Sequence, residues 1–120
     1  MKVLKNGRVI PVVGDEFVGD IAIENGKIVA LGEKLEYPDA DYINVSGCTL
    51  IPGIIDAHCH IGMFEDGMGF EGDDVNEYSN PVTPELRAID AINPYDRCFE
   101  EARMGGITTV VTGPGSANVI

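Results

Sequence analysis

Residues 52–60, which read PGIIDAHCH, constrain this chain more than any other stretch. An apolar run there gives way to Asp56, His58 and His60 at every second position. Side chains of a β-strand alternate between its two faces, so these three should point the same way. Two imidazoles so placed suit a divalent cation. The alternative is a pair of solvent-facing or hydrogen-bonded histidines. We favour the metal site, because these are the only two histidines and an acid lies in phase with them.

The charge balance of the chain excludes two classes of partner. Its 120 residues include 20 acids and 8 bases, for a formal net charge of −12. Nucleic acids and anionic membranes need clustered Lys and Arg, so neither is expected, whereas cations are. The three cysteines include no Cys-x-x-Cys pair, which argues against a disulfide framework or a zinc ribbon. The sequence has neither a signal-peptide pattern nor a long apolar run, so a cytoplasmic location is the default.

Residues 1–51 predict a small antiparallel β-segment of the sandwich-like kind. Asn6-Gly7 and Asn25-Gly26 each separate two apolar runs, and Asn-Gly is the strongest signal for a two-residue hairpin turn. The predicted hairpins and two further short strands occupy residues 2–13, 20–31, 42–45 and 48–51.

The pattern after residue 51 predicts a βαβ unit. A mostly apolar strand covers residues 54–58, and a β-branched strand covers residues 107–112. Between them, Asn93 as N-cap and Pro94 at the first helical position should start a helix that Gly105-Gly106 ends. One βαβ unit cannot cover both faces of a parallel sheet, so we expect the sequence to begin a longer chain. The apolar stripe predicted for the helix is Tyr95, Cys98, Phe99 and Ala102.

Residues 61–93 form an unusually long connection. They hold eight acids, with Arg87 as their one base. Connections in α/β units usually run about 2–6 residues. The segment is either a lid or substrate-binding loop over the metal site or a floppy acidic insertion, and we weigh the two equally. Its acids lack the spacing of a calcium loop, so no second cation site is expected.

Seven segments together resemble a known family. They are residues 4–9 (LKNGRV), 23–28 (IENGKI), 52–60 (PGIIDAHCH), 80–84 (NPVTP), 87–94 (RAIDAINP), 105–110 (GGITTV) and 114–120 (PGSANVI). Residues 4–9, 23–28 and 52–60, in this order, resemble the opening of the amidohydrolase superfamily, and residues 105–110 resemble its second barrel strand. The loop segments 80–84 and 87–94 and the tail 114–120 resemble the imidazolonepropionase-like amidohydrolases. The resemblance covers essentially the whole chain.

The resemblance implies an α/β metal-dependent hydrolase with a distorted (β/α)8 barrel and a small β-sandwich beside it. Residues 1–51 would be part of the sandwich, and residues 52–120 the first two strands and first helix of the barrel. His58 and His60 would bind the metal at the end of the first barrel strand, where barrel active sites lie. Zinc is the expected metal, with iron, nickel or manganese as alternatives.

The same resemblance suggests further site residues. Asp56 is expected to orient the ligands rather than bind metal; the alternative is a carboxylate satisfied by backbone N–H groups. Ser116 and Asn118 follow the second barrel strand and are candidates for substrate contact, although loop polarity explains them equally well. No catalytic residue is expected within these 120 residues, because the family's remaining ligands and its catalytic base come from later strands.

The activity implied is hydrolysis of a C–N bond, other than a peptide bond, in a small cyclic or linear amide by metal-activated water. The 120 residues alone are expected to be inactive and to bind metal weakly or not at all, because two histidines leave a cation mostly water-coordinated. The alternative is a non-catalytic binding or structural module. Exposed strand edges favour a homo-oligomer.

Overall fold

The computed structural model describes residues 1–117, which form two compact units. The division between the units falls after Pro52. The first unit is a five-stranded sheet, and the second contains a two-stranded sheet and short helices. Within the described residues, no helix is long and apolar enough to cross a membrane.

The sheet of the first unit is mixed. Strand β1 pairs antiparallel with β2, and β2 pairs antiparallel with β3, but β4 and β5 both run parallel to β1. The expectation of a purely antiparallel segment is therefore wrong for β4 and β5. The reason is that residues 33–40 carry the chain from β3 at one edge of the sheet past β2 to the other side of β1. The five strands are β1 (Lys2–Val9), β2 (Phe17–Glu24), β3 (Lys27–Gly32), β4 (Asp41–Asn44) and β5 (Thr49–Leu50).

The predicted hairpin turn at Asn25-Gly26 is confirmed. Asn25 has φ 51° and Gly26 has φ 74°, and the two residues join β2 to β3. A type I′ turn needs positive φ at both central residues, which Asn and Gly adopt most readily. The two residue types that predict this turn therefore match its backbone geometry.

The predicted hairpin at Asn6-Gly7 is wrong. Both residues lie within the continuous strand β1, where Lys5 and Asn6 together oppose the single residue Asp20 of β2. This arrangement is a β-bulge, and only Asn6 takes a positive φ, of 65°. Gly7 serves a different purpose, because a Cβ there would meet the Leu50 side chain at 2.7 Å.

Asp20 anchors the bulge and the crossing segment. Its side chain is 1% exposed, and its carboxylate accepts hydrogen bonds from Lys5 Nζ at 2.6 Å, Asn6 N at 2.9 Å and Leu35 N at 2.8 Å. Lys5 Nζ also donates to the Leu35 carbonyl at 2.9 Å. Burial raises the pKa of Asp20, but these hydrogen bonds outweigh that effect, so the pKa lies below its ordinary value of 3.8.

Among residues 1–117, each unit buries only a few apolar side chains. The first unit buries Val3, Val9, Ile21 and Ala22 on strands β1 and β2. The second unit buries Met63 and Val75, both of which belong to the long acidic connection. The second core therefore depends on residues of that connection.

The second unit contains the predicted parallel strand pair. Strands β6 (Ile54–Cys59) and β7 (Ile107–Thr112) pair in parallel, with Cys59 opposite Thr112. The helices between them are a 3₁₀ turn (Gly69–Gly72), α1 (Ala88–Ala91) and α2 (Arg97–Met104).

The main helix starts later than the sequence predicts. Its N-cap is Asp96, whose carboxylate accepts from Cys98 N at 3.1 Å, and not Asn93. Asn93 instead accepts from Tyr95 N at 3.0 Å, and Asp96 N donates to the Asn93 carbonyl at 3.2 Å. These bonds make residues 93–96 a turn. Tyr95 is therefore outside the helix and 94% exposed, so it does not belong to the predicted apolar stripe.

We expect Asp20→Ala to lower the free energy of unfolding by about 3 kcal/mol, because Lys5 and two backbone N–H groups lose their buried acceptor. Equilibrium denaturant unfolding measures the change. Glu16→Ala is the control: the Arg8–Glu16 ion pair is half exposed and should contribute less than about 1 kcal/mol. Equal losses in the two variants would contradict this role for Asp20.

The contribution of Asp20 should also depend on pH. Because its pKa is depressed in the folded state, the stabilisation is complete above the unfolded value of 3.8 and is lost as pH falls through the lower folded value. Unfolding curves of wild type and Asp20→Ala should therefore converge in acid. A difference that stays constant through this range would contradict the prediction.

Candidate metal centre

Strand β6 carries the two histidines to its carboxyl end. His58 lies near the end of the strand, and His60 follows its last residue, Cys59. Their rings are edge to face, with centroids 5.3 Å apart and an angle of 81° between the ring planes. The alternating sequence therefore brings the two imidazoles together, as the strand pattern predicts.

His60 is held by a backbone carbonyl of the neighbouring strand's loop. Its Nδ1 lies 2.6 Å from the oxygen of Gly113. A carbonyl only accepts, so Nδ1 carries the proton, and in the neutral ring Nε2 keeps its lone pair. Metal-binding histidines have this arrangement, with one ring N–H donated to a carbonyl or carboxylate and the other nitrogen facing the metal.

Asp56 contacts the backbone of the same strand. Its Oδ1 accepts a hydrogen bond from His58 N at 3.2 Å. The sequence left two roles open for Asp56: orienting the metal ligands, or accepting hydrogen bonds from backbone N–H groups. This contact is of the second kind. It also ties Asp56 to the residue that carries the first imidazole.

Residues that the sequence did not single out hold the ends of β6 and β7 together. Gly113 N donates to the Cys59 carbonyl at 3.2 Å, and Thr112 Oγ1 donates to the Ile61 carbonyl at 2.8 Å. Thr112 resembles the other β-branched residues of β7 in sequence. Its one distinguishing signal is its position, as the last strand residue before Gly113-Pro114.

The acidic connection is tied to this end of the strands. Met63 N donates to the His60 carbonyl at 3.1 Å, Asn93 N to the Gly62 carbonyl at 2.8 Å, and Gly115 N to the Val75 carbonyl at 2.8 Å. The segment therefore begins and ends on residues beside His60, and its middle contacts the loop after β7.

Asp96 joins the connection to the start of α2. Its two carboxylate oxygens accept from different N–H groups: Oδ1 from Cys98 and Oδ2 from Asp66 at 3.2 Å. Burial raises the pKa of Asp96, but its hydrogen bonds with Cys98 and Asp66 outweigh that effect and bring it below the ordinary value. One buried carboxylate thus caps the helix and fixes the connection.

A cavity of about 290 Å³ borders the loop after β7. Ser116, a predicted substrate contact, follows the lining residues in sequence and is exposed. Asn118, the other candidate, lies outside the described residues. The lining includes Met63, Val75, Leu86, Arg87, Pro114 and Gly115.

The described residues supply part of a metal site. Within residues 1–117, no group of three or more His, Cys, Asp or Glu side chains is placed to hold a metal ion. His58 and His60 offer two nitrogen donors, whereas catalytic zinc sites have three protein ligands. The donor set fits a divalent metal chemically but needs further ligands.

Known proteins match the chain over most of its length. An amidohydrolase of known structure from Thermotoga maritima MSB8 is 45% identical and superposes with a TM-score of 0.90, over 98% of this chain and 31% of that one. The amidohydrolase tasK of Hapsidospora irregularis is 38% identical over 109 residues, or 87% of this chain and 11% of its own length. An adenine deaminase of Bacillus subtilis (strain 168) is 34% identical over 113 residues, 93% of this chain and 14% of its own length.

These matches identify the chain's family. The solved amidohydrolase superposes on 98% of this chain, so the two share one fold over that length. The chain belongs to the amidohydrolases and matches their N-terminal portion. It spans about a third of the solved relative and less than a sixth of the two curated relatives. No protein-family model matches it.

Asp96 offers a test of how the acidic connection is fixed. In Asp96→Asn, one oxygen still caps α2 at Cys98, but the new amide group has no lone pair for the Asp66 N–H. We expect faster hydrogen exchange at the Asp66 amide and little change at the Cys98 amide. Asp96→Ala should expose both amides and cost about 1 kcal/mol through loss of the cap. Unchanged Asp66 exchange in Asp96→Asn would contradict this role.

Proposed function

We propose that this chain is the N-terminal part of a metal-dependent amidohydrolase that hydrolyses a C–N bond in a small cyclic or linear amide. The observation that carries the proposal is the pairing of His58 with His60, together with the hydrogen bond from His60 Nδ1 to Gly113. The relatives add support, since those matched include proteins named amidohydrolase, adenine deaminase and D-hydantoinase.

The proposal assigns roles to the two units. Residues 1–51 contribute to a small β-sandwich, and residues 52–120 form the first βαβ unit of a (β/α)8 barrel. The substrate bond that the enzyme would hydrolyse is a C–N bond other than a peptide bond. Resemblance in residues 80–84 and 87–94 favours an imidazolonepropionase-like amidohydrolase.

His58 and His60 are the proposed metal ligands. A divalent metal bound there, together with ligands from outside the described residues, would polarise the substrate carbonyl and make hydroxide available near neutral pH. Zinc is the metal we propose, with iron, nickel or manganese as alternatives of similar ligand preference. Asp56, bonded to His58 N, would steady the backbone that presents the first ligand.

The acidic connection is proposed to cover the site. It starts directly after His60 and contacts the loop after β7 through Gly115 and Val75. Substrate would approach beside this loop, where Ser116 lies, and the segment would exclude water from the reacting atoms. The binding partner that we propose for this site is the small amide substrate.

Substitution of the two histidines tests the assignment. In the full-length enzyme, His58→Ala and His60→Ala together should remove bound metal and hydrolysis in parallel. Elemental analysis after dialysis and an amide-hydrolysis assay measure the two losses. Cys59→Ala is the matched control: Cys59 lies between the histidines, and its sulfur is directed to the Val111 carbonyl at 3.5 Å. Unchanged turnover in the double variant would overturn the site.

A polypeptide of residues 1–120 alone should bind Zn²⁺ weakly and be inactive. Two histidines leave most of the coordination sphere to water, short of the three ligands of a catalytic site. Calorimetric titration with Zn²⁺ checks the affinity. Stoichiometric metal retained through dialysis by a monomer would contradict this expectation.

A second candidate function is a non-catalytic module that assembles through strand edges. It is favoured by the exposure of Ile55 on β6 and Val111 on β7, at 67% and 60%. Light scattering on residues 1–120 should then show a homo-oligomer, and Ile55→Lys should disperse it because a charge on a strand disfavours edge pairing. Val12→Lys, at an exposed residue outside the strands, is the control. A monodisperse wild-type monomer would exclude this candidate.

A further inference from the structure

Three hydrogen bonds join residues 112 and 113 to His60 or to its two neighbours in sequence. Gly113 N donates to the carbonyl of Cys59, which precedes His60, and Thr112 Oγ1 donates to the carbonyl of Ile61, which follows it. The third bond joins the His60 ring to the Gly113 carbonyl. Backbone and ring of His60 are thus held from the same two residues.

The bond from Thr112 is the only one of the three that uses a side chain on the β7 side. The other two use backbone groups of Gly113, which every residue except proline supplies. Thr112 pairs with Cys59 in the parallel register, so its hydroxyl lies near the point where β6 ends. A substitution at residue 112 can therefore remove one bond without altering the backbone groups of Gly113.

We propose that Thr112 is a positioning residue for His60, and this rests on the proposed metal-dependent function. Its hydroxyl fixes the Ile61 carbonyl and with it the backbone that follows His60. That backbone position determines whether Nδ1 reaches the Gly113 oxygen at 2.6 Å. The Nδ1–H tautomer keeps Nε2 free for the metal, so Thr112 prepares His60 for binding before the metal arrives.

The test compares variants of residue 112 in the full-length enzyme. Thr112→Val keeps the β-branched shape but lacks the hydroxyl, whereas Thr112→Ser keeps the hydroxyl. Thr109→Val is the matched control, because Thr109 lies on the same strand with an exposed side chain. Metal affinity is measured by titrating Zn²⁺ against a chromophoric chelator. The tautomer of His60 is measured by NMR of isotope-labelled histidine in the metal-free enzyme.

Thr112→Val should weaken Zn²⁺ binding about 10-fold, the lower end of the range for groups that orient a metal ligand. The metal-free His60 ring should change from the Nδ1–H tautomer to a mixture. Thr112→Ser and Thr109→Val should keep the wild-type tautomer and most of the affinity. A role confined to stability would lower the unfolding temperature of Thr112→Val and leave the His60 ring signal unchanged.

The proposal is overturned if Thr112→Val binds Zn²⁺ as tightly as wild type with the wild-type tautomer. If Thr112→Val does not fold, Thr112→Ser and Thr112→Ala make the same comparison, since both lack the methyl group and only the serine keeps the hydroxyl. If His60→Ala loses Zn²⁺ binding but Thr112→Val changes neither the Zn²⁺ affinity nor the His60 tautomer, only the positioning role of Thr112 is rejected. Retained binding in the His58→Ala, His60→Ala variant would reject the proposed function itself.

Discussion

The parallel pairing of β6 with β7 is the constraint on which the candidate site depends. Parallel neighbours need a crossover, and their carboxyl ends finish at the same edge. His60, after β6, therefore meets Gly113, after β7, although the two residues are far apart in sequence. The same geometry obliges residues 61–106 to leave from and return to this sheet. The acidic connection consequently begins and ends beside His60: Met63 N donates to the His60 carbonyl, and Asn93 N donates to the Gly62 carbonyl.

A buried carboxylate has a comparable role in each unit, and in both it links distant segments. Asp20 joins a bulge in β1 to the crossing segment at Leu35, and Asp96 joins the start of α2 to Asp66. Each is almost fully buried and accepts two backbone N–H groups. A buried charge is costly unless hydrogen-bonded, so each carboxylate specifies one arrangement of the segments around it. Few apolar side chains are buried among residues 1–117, so these hydrogen-bonded carboxylates add to packing as a source of order.

The sequence predicted those features that local residues determine. Asn25-Gly26 forms its turn because both residues tolerate the positive φ that a type I′ turn needs. Asn6-Gly7 has the same signal, but Asp20 accepts from Asn6 N and the strand continues as a bulge. Asn93-Pro94 likewise gives a turn, since the buried Asp96 caps the helix. The strand alternation predicted that the histidines would lie together, whereas the Gly113 carbonyl that orients His60 has no side-chain signal in sequence.

The two proposed ligands differ in what orients them, and this bears on how the site would assemble. The His60 ring is fixed by a hydrogen bond to the Gly113 carbonyl, whereas the contact described for the His58 ring is its T-shaped contact with the His60 ring. An imidazole already held in the binding tautomer loses little freedom when it meets a metal, whereas an unheld one loses more. His60 should therefore contribute more of the affinity, and His58 should follow it into place. In this order of assembly, the loop after β7 fixes His60 through the Gly113 carbonyl before His58 joins it at the metal.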